Sequence, residues 1–439
     1  MKASFRQSMA WLHTWSGLVV GWVLFAIFAT GTAAYFQEEI TRWMQPEVAS
    51  SASPAVATQN AAKFLQALAP DAESWFITVP GRRSATTQVF WQPGENAAPT
   101  QRADTQAVLD GAGREIDARA TQGGFFLYRF HFDLHYIPVM WARYLVGVSA
   151  MAMLVAILSG IVTHKKIFVD FFTLRLAKGQ RSWLDAHNVT AVLALPFFLM
   201  ITYTGLVSLA TQYMPFPIAA VYKSPRTFFE EVFPAPPPVE RAGRPATLAA
   251  FGPMFAQAQK QWNGAGVGYV AVSNPGDANA RISLTSSSSD GMASRGETLV
   301  FDGVSGALIP TKANTGVAAK TESVMIGVHA GRYAQTLLRW LYFLSGLGGV
   351  AMVGTGLVLW TVKRRQKLSD PQRPHIGFQL VERLNITAIA GLPIGLAAYF
   401  LANRLLPLHL AGRADWEINS LFIAWGAVLV WAIGRPAKR

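Results

Sequence analysis

Apolar positions dominate six stretches whose lengths approach the roughly 20 residues that cross a bilayer as a helix. They run from about Trp15 to Phe36, Pro138 to Val162, Val189 to Ala210, Leu337 to Val362, Ile386 to Leu406 and Ser420 to Ile433. The last is short and needs to begin near Trp416. Pro196 lies inside the third, where a membrane helix tolerates it as a kink. Lys2 and Arg6 precede the first stretch in the manner of a signal peptide. Its apolar run exceeds the usual length of about 7–15 residues, and no clear cleavage site follows, so it reads as a retained anchor.

Between the spans the pattern changes. Two long loops, 37–137 and 211–333, are polar enough and long enough for a small domain each. Each holds an amphipathic stretch, Ala61–Leu68 in one and Leu248–Trp262 in the other. Each then shows an apolar strand, an Asp-Gly turn and a second strand: Ala107-Val108-Leu109-Asp110-Gly111, and Leu299-Val300-Phe301-Asp302-Gly303. That order predicts a helix followed by a β-hairpin. Pro234, Pro236, Pro237 and Pro238 mark an extended linker in the second loop.

The spans echo each other too. His13 precedes Gly31 by the same spacing as His187 precedes Gly205, and Arg143 precedes Gly160 as Arg339 precedes Gly356. Residues 9–166 and 183–365 therefore read as two copies of one unit of span, α+β loop and span, and direct repetition predicts a pseudo-twofold axis along the membrane normal. The expected fold is a membrane α-helical bundle of about six transmembrane helices with an internal duplication. Its parts are span one at 1–36, a loop domain at 37–137, span two at 138–166, span three at 183–210, a second loop domain at 211–333, span four at 334–366, and the added spans five and six at 385–439.

Charge sets the orientation. Lys and Arg exceed Asp and Glu by 13, and the basic residues cluster before span one, between spans two and three, between four and five, and at the C-terminus. Short basic loops stay cytoplasmic, so both termini are expected inside and both long loops outside. These clusters carry a topology signal and do not imply a nucleic-acid partner; the partner they imply is the lipid bilayer. Only 14% of residues are charged, against about 25% in soluble proteins.

Composition then narrows the chemistry. The chain has no cysteine, which excludes disulfides, thiolate metal sites and covalently attached haem, and it has eight histidines. The repeat pairs His13 with His187 near the inner face, and His135 with His329 near the outer face. One imidazole from each of two facing helices is the donor set of a bis-histidine haem, which leaves no open iron position and suits electron transfer. Zinc, the rival metal, wants three or four ligands; a metal-free structural role is the other alternative.

His131, four positions before His135, shares its face if that stretch is helical, and is an alternative outer ligand. His164 departs from the repeat, where Trp360 stands, and is an alternative inner ligand or the start of a basic patch. His375 and His409 read as solvated. Arg143 and Arg339 are candidates for haem propionates or for interface anchors. Gly17, Gly31, Gly160, Gly205 and Gly356 allow close approach of a macrocycle or of another helix. No dinucleotide, Walker A or nucleophile-elbow motif is present. No catalytic residue is assigned, and electrons must come from a quinol or a separate reductase.

Leu12-His13, His135 with Arg143, His164-Lys165-Lys166 with the Phe-rich run to Arg175, Ala186-His187-Asn188, and Val328-His329-Ala330-Gly331-Arg332 together resemble the PepSY-associated transmembrane family of bacterial inner-membrane proteins. The resemblance covers about 5–365, and the Asp-Gly hairpins resemble PepSY modules. It implies two periplasmic α+β PepSY-like domains. It also implies two non-covalent b-type haems on His13, His187, His135 and His329, and reduction of a periplasmic ferric siderophore or other ferric chelate with release of Fe(II). Two other readings remain from the sequence: a non-enzymatic periplasmic binding, sensor or assembly protein, and a siderophore transporter.

Overall fold

The computed structural model describes residues 4–48, 52–84, 86–94, 105–164, 174–233, 238–311, 316–370 and 373–435. Lys165, Lys166, most of the Phe-rich run after them, Pro234, Pro236 and Pro237, and Lys438 and Arg439 lie outside the described residues. In chain order the elements begin with α1 (Phe5–Ala34), α2 (Gln37–Met44), α3 (Pro54–Leu68), β1 (Ser74–Thr78), β2 (Thr87–Gln92), β3 (Gln106–Leu109), α4 (Gly123–Asp133) and α5 (Val139–Thr163). They continue with α6 (Gln180–Leu193), α7 (Leu195–Ser208), α8 (Phe251–Gln261), β4 (Val267–Ser273), β5 (Arg281–Ser286), β6 (Thr298–Asp302), β7 (Leu308–Ile309), α9 (Val317–Ala330) and α10 (Thr336–Arg365). The long helix α11 (Ile376–Leu405) and α12 (Arg413–Gly434) close the chain.

Two compact units result. The first comprises residues up to Met44, Ala120–Tyr213 and Ala334 onward; the second comprises Gln45–Arg119 and Met214–Tyr333. In the first, α1, α5, α10, α11 and α12 are each long and apolar enough to cross a membrane. α6 and α7 make a sixth span only if taken together, because they meet at a 67° bend. The kink expected at Pro196 is thus a break. Proline has no N–H to give the preceding turn, and its ring clashes with the carbonyl four residues back; Ala194 leaves helical geometry there.

Close packing in this unit relies on absent side chains. Gly349 of α10 sits against Phe28 of α1, where a Cβ would approach the ring to 2.5 Å. Helix α11 contains a π-helical turn, Thr387–Gly391, just before Pro393, the usual accommodation of a residue that cannot continue the α ladder. The Trp425 indole of α12 donates to the Thr387 carbonyl in that turn at 2.8 Å. Asn385 of α11 accepts from the Trp22 indole of α1 at 2.8 Å and donates to the Leu357 carbonyl of α10 at 3.0 Å. Spans five and six are therefore bonded into the bundle.

The second unit differs from the expectation of two separate loop domains. Both loops contribute to one antiparallel sheet of order β3-β2-β1-β4-β5-β6-β7. β1 of the first loop pairs with β4 of the second over Ser74↔Ser273 to Thr78↔Tyr269. A three-stranded half-sheet alone would leave an unpaired inner edge; the β1–β4 junction satisfies both edges at once. One core lies beneath, with Ala61 and Leu65 of α3 and Phe251 and Phe255 of α8 packed on Trp75, Ile77, Val270 and Ile282.

The Asp-Gly turns fall where the sequence predicts them. Asp110 accepts from the backbone N–H of Ala112 and Arg114 at 2.9 Å each. Asp302 accepts from Val304 and Ser305 at 3.1 and 2.9 Å.

Candidate functional site

His13 stands on α1 and His187 on α6, and their imidazoles face each other with ring centres 6.2 Å apart. His13 Nδ1 lies 2.7 Å from the Ala156 carbonyl of α5. His187 Nδ1 lies 2.9 Å from the Met352 carbonyl of α10. A carbonyl only accepts, so each Nδ1 carries the proton and each Nε2 is left with its lone pair. Fixing the tautomer in this way prepares an imidazole to bind a metal.

The seats match as well. A Cβ on Gly160 would stand 3.1 Å from the His13 ring, and one on Gly356 would stand 3.1 Å from the His187 ring. Gly17, one turn after His13, has nothing within 4 Å of where its Cβ would be.

The spacing tests what the pair can hold. A metal–imidazole bond is about 2 Å, and about 1 Å more reaches each ring centre, so two imidazoles in line on one ion sit about 6 Å apart. The observed separation fits. Among the described residues no group of three or more His, Asp or Glu side chains comes together, so the donor set is two imidazoles.

Around the pair, the start of α6 is pinned by Arg175, whose Nε and Nη2 both donate to Asp185 at 2.8 Å. Arg6 of α1 donates to the Thr163 carbonyl at the end of α5 at 2.8 Å. His164 caps α5 one turn beyond Gly160, its N–H donating to the Gly160 carbonyl at 3.1 Å. Trp360, its counterpart on α10, packs between Trp15 and Phe378, with ring centres 6.5 and 6.3 Å away.

A third histidine repeats the arrangement roughly 20 Å along α1. His131 of α4 has its Nδ1 2.8 Å from the Ile27 carbonyl of α1, and a Cβ on Gly31 would meet its ring at 2.6 Å. Burial pushes His131 below the ordinary imidazole range, which keeps the ring neutral. His135 is placed differently. Helix α4 ends at Asp133 and Leu134 turns left-handed at φ 43°, so His131 and His135 do not share a helical face. The His135 ring stacks on Phe422 at 5.6 Å and packs beside Phe126 and Tyr136.

His329 lies in the second unit, near the end of α9, two residues before Gly331, which turns left-handed at φ 61°. Arg143 donates to Asp133 at 2.8 Å, and Arg339 donates to Glu39 at 2.8 Å and to the Ala334 carbonyl at 2.9 Å. Both candidate propionate partners thus already hold carboxylates. His375 caps α11, its Nδ1 accepting from the Phe378 N–H at 3.2 Å, and His409 is exposed in the following loop.

One cluster escaped the sequence reading. At the start of α12, Arg413 and Glu417 pair while 1% and 0% exposed. Asn403 of α11 donates to Glu417 at 2.8 Å, Thr121 donates to its other oxygen, and Arg413 donates to the Ala120 carbonyl at 3.0 Å. Tyr399 of α11 donates to the Gly123 carbonyl at 2.8 Å. The available signal was an i,i+4 Arg–Glu pair at the head of an apolar run.

Comparison with known proteins agrees with the architecture. Residues 10–363 match the family model described as the PepSY-associated TM region. An uncharacterized protein of Pseudomonas aeruginosa is 25% identical over 310 residues, which is 67% of this chain and 76% of that protein.

Proposed function

The chain belongs to the PepSY-associated TM family, and from that footing we propose that it is an inner-membrane b-type haem protein. In this reading it carries electrons across the bilayer and reduces a periplasmic ferric siderophore or similar chelate to release Fe(II). The single observation that carries the reading is the facing pair His13 and His187, 6.2 Å apart with both Nδ1 atoms committed to backbone carbonyls. Haem held there by His13 and His187 would supply reversible one-electron chemistry.

The chain's own part is positional. The Ala156 and Met352 carbonyls set the rotation of each ring and raise the basicity of Nε2. Gly160 and Gly356 let each ring lie against a helix backbone. The same arrangement on both halves supports the internal duplication: His13, Ala156 and Gly160 correspond to His187, Met352 and Gly356.

For the outer haem the geometry favours His131 over His135, because His131 alone of the two has its Nδ1 bonded to a span carbonyl. Arg143 and Arg339 serve propionates only by exchanging partners with Asp133 and Glu39. The positive-inside pattern places both termini in the cytoplasm and the long loops in the periplasm. Reduction of the chelate adds one electron to Fe(III), and catecholate or hydroxamate oxygens hold the resulting Fe(II) less tightly.

The test is the absorption spectrum of protein purified from haem-replete cells. A reducible b-type band is expected, with bleaching of the reduced form on adding ferric siderophore. Protein that folds without that band would refute the reading and favour a periplasmic binding or assembly role.

A further inference from the structure

Where α10 ends, a cavity of about 420 Å³ is lined by Thr361, Val362, Arg365 and Gln366 of α10 and by Glu382 of α11. Small-molecule sites fall in the range of about 300–1,000 Å³. Arg365 donates to Glu382, so a cation, a carboxylate and an amide share one wall, with Val362 as an apolar surface. Span five read from the sequence begins after Glu382; in the structure α11 starts earlier and carries it inside the apolar helix. A carboxylate there is costly unless it is used.

The cavity is also coupled to the histidine pair. The Arg365 guanidinium lies 5.3 Å from the centre of the Phe378 ring. Phe378 stacks on Trp360 with ring centres 6.3 Å apart, and Trp360 meets Trp15 at 6.5 Å. Trp360 is one helical turn beyond Gly356, which seats His187, and Trp15 is two residues beyond His13. Adjoining rings therefore run from the cavity wall to Trp360, one turn from the glycine that seats His187.

We propose that this cavity binds the headgroup of a membrane quinol and is where electrons enter. The proposal rests on the haem reading above for its electron acceptor. A quinol ring is flat and presents two opposed hydroxyls. One hydroxyl donates to Glu382 beside Arg365, and the other meets the Gln366 amide. Ile376 and Leu380 of α11 are exposed and give the isoprenoid tail an apolar path into lipid. A phospholipid phosphate gains no net attraction in the same space, because Glu382 offsets Arg365. Oxidation breaks two O–H bonds. Two electrons would leave one at a time for the haem of that reading, one proton passing to the Glu382 carboxylate and on to water and the other directly to water.

Two measurements on the full chain test this. An azido-ubiquinone photolabel in membranes should mark peptides containing 361–366 or Glu382, compete with unlabelled quinol, and fall at least tenfold in Val362→Trp, which fills the cavity. In purified holoprotein, Glu382→Gln should slow haem reduction by decylubiquinol at least tenfold, while dithionite still reduces the variant to the wild-type spectrum. Label confined to other segments, or an undiminished quinol rate in Glu382→Gln, overturns the cavity assignment. The label reports on the cavity whether or not haem is bound, whereas a missing b-type band speaks only against the function proposed above.

Discussion

At one end of α1, His13 reaches across to the Ala156 carbonyl of α5; at the other end, α1 is reached, its Ile27 carbonyl receiving His131 from α4. The first site is built from spans alone. Helices packed against one another hold it, and the same bonds recur with His187 and Met352. The second depends on an 11-residue helix, a length that is marginal without tertiary support. Part of that support comes from α11 and α12, beside the packing of α4 on α1 and α2. Glu417, Arg413 and Tyr399 hold the N-terminal end of α4, and Phe422 and Trp425 pack on Phe130. The two added spans thus help to hold the outer histidine, and α11 also bonds to α10 next to the seat of the inner pair, where Asn385 donates to the Leu357 carbonyl.

That contrast can be broken at several points. The largest effect is expected from ligand removal. His187→Ala should cost the inner haem and leave the outer one, read as a halved haem-to-protein ratio. His131→Ala should remove the outer haem where His135→Ala does not. Loss in His135→Ala with retention in His131→Ala would reverse the outer assignment.

Next in size is Glu417→Ala. Removing one partner of a buried pair leaves an uncompensated charge and costs about 3–5 kcal/mol. The thermal midpoint in detergent should drop, and the outer haem signal should disappear before the inner one; simultaneous loss would mean that α11 and α12 support both ends equally.

Smallest are the glycine seats. A methyl at Gly31 would lie 2.6 Å from the His131 ring, whereas one at Gly160 would lie 3.1 Å from His13. Gly31→Ala should therefore shift the outer midpoint potential more than Gly160→Ala shifts the inner. Equal shifts in a redox titration would remove the steric argument.

The legible parts of the molecule were those with a period or a spacing. Apolar runs located the spans, although α1 and α11 extend well beyond them because polar first turns such as Ser4 to Gln7, joined as a capping box, are still helical. Repeat spacing found His13 and His187 and the glycines that seat them. It did not separate His131 from His135, because the left-handed Leu134 that ends α4 is a non-glycine residue and gives no warning in sequence. The Arg413–Glu417 knot was hidden because its partners Thr121 and Asn403 are far apart along the chain. The single sheet was hidden because nothing in either loop says that its edge strand will meet the other loop.

That shared sheet sets an order of events during synthesis. β1 finds its partner β4 only after roughly 190 further residues have been made, among them α5, α6 and α7. At about 5–20 residues per second the delay is on the order of 10–40 s. Throughout that interval the first loop waits as a half-sheet with an open edge, a state that invites misassembly. The timetable of biogenesis is thus written into the strand order, and the open half-sheet is the species that must be kept from pairing wrongly.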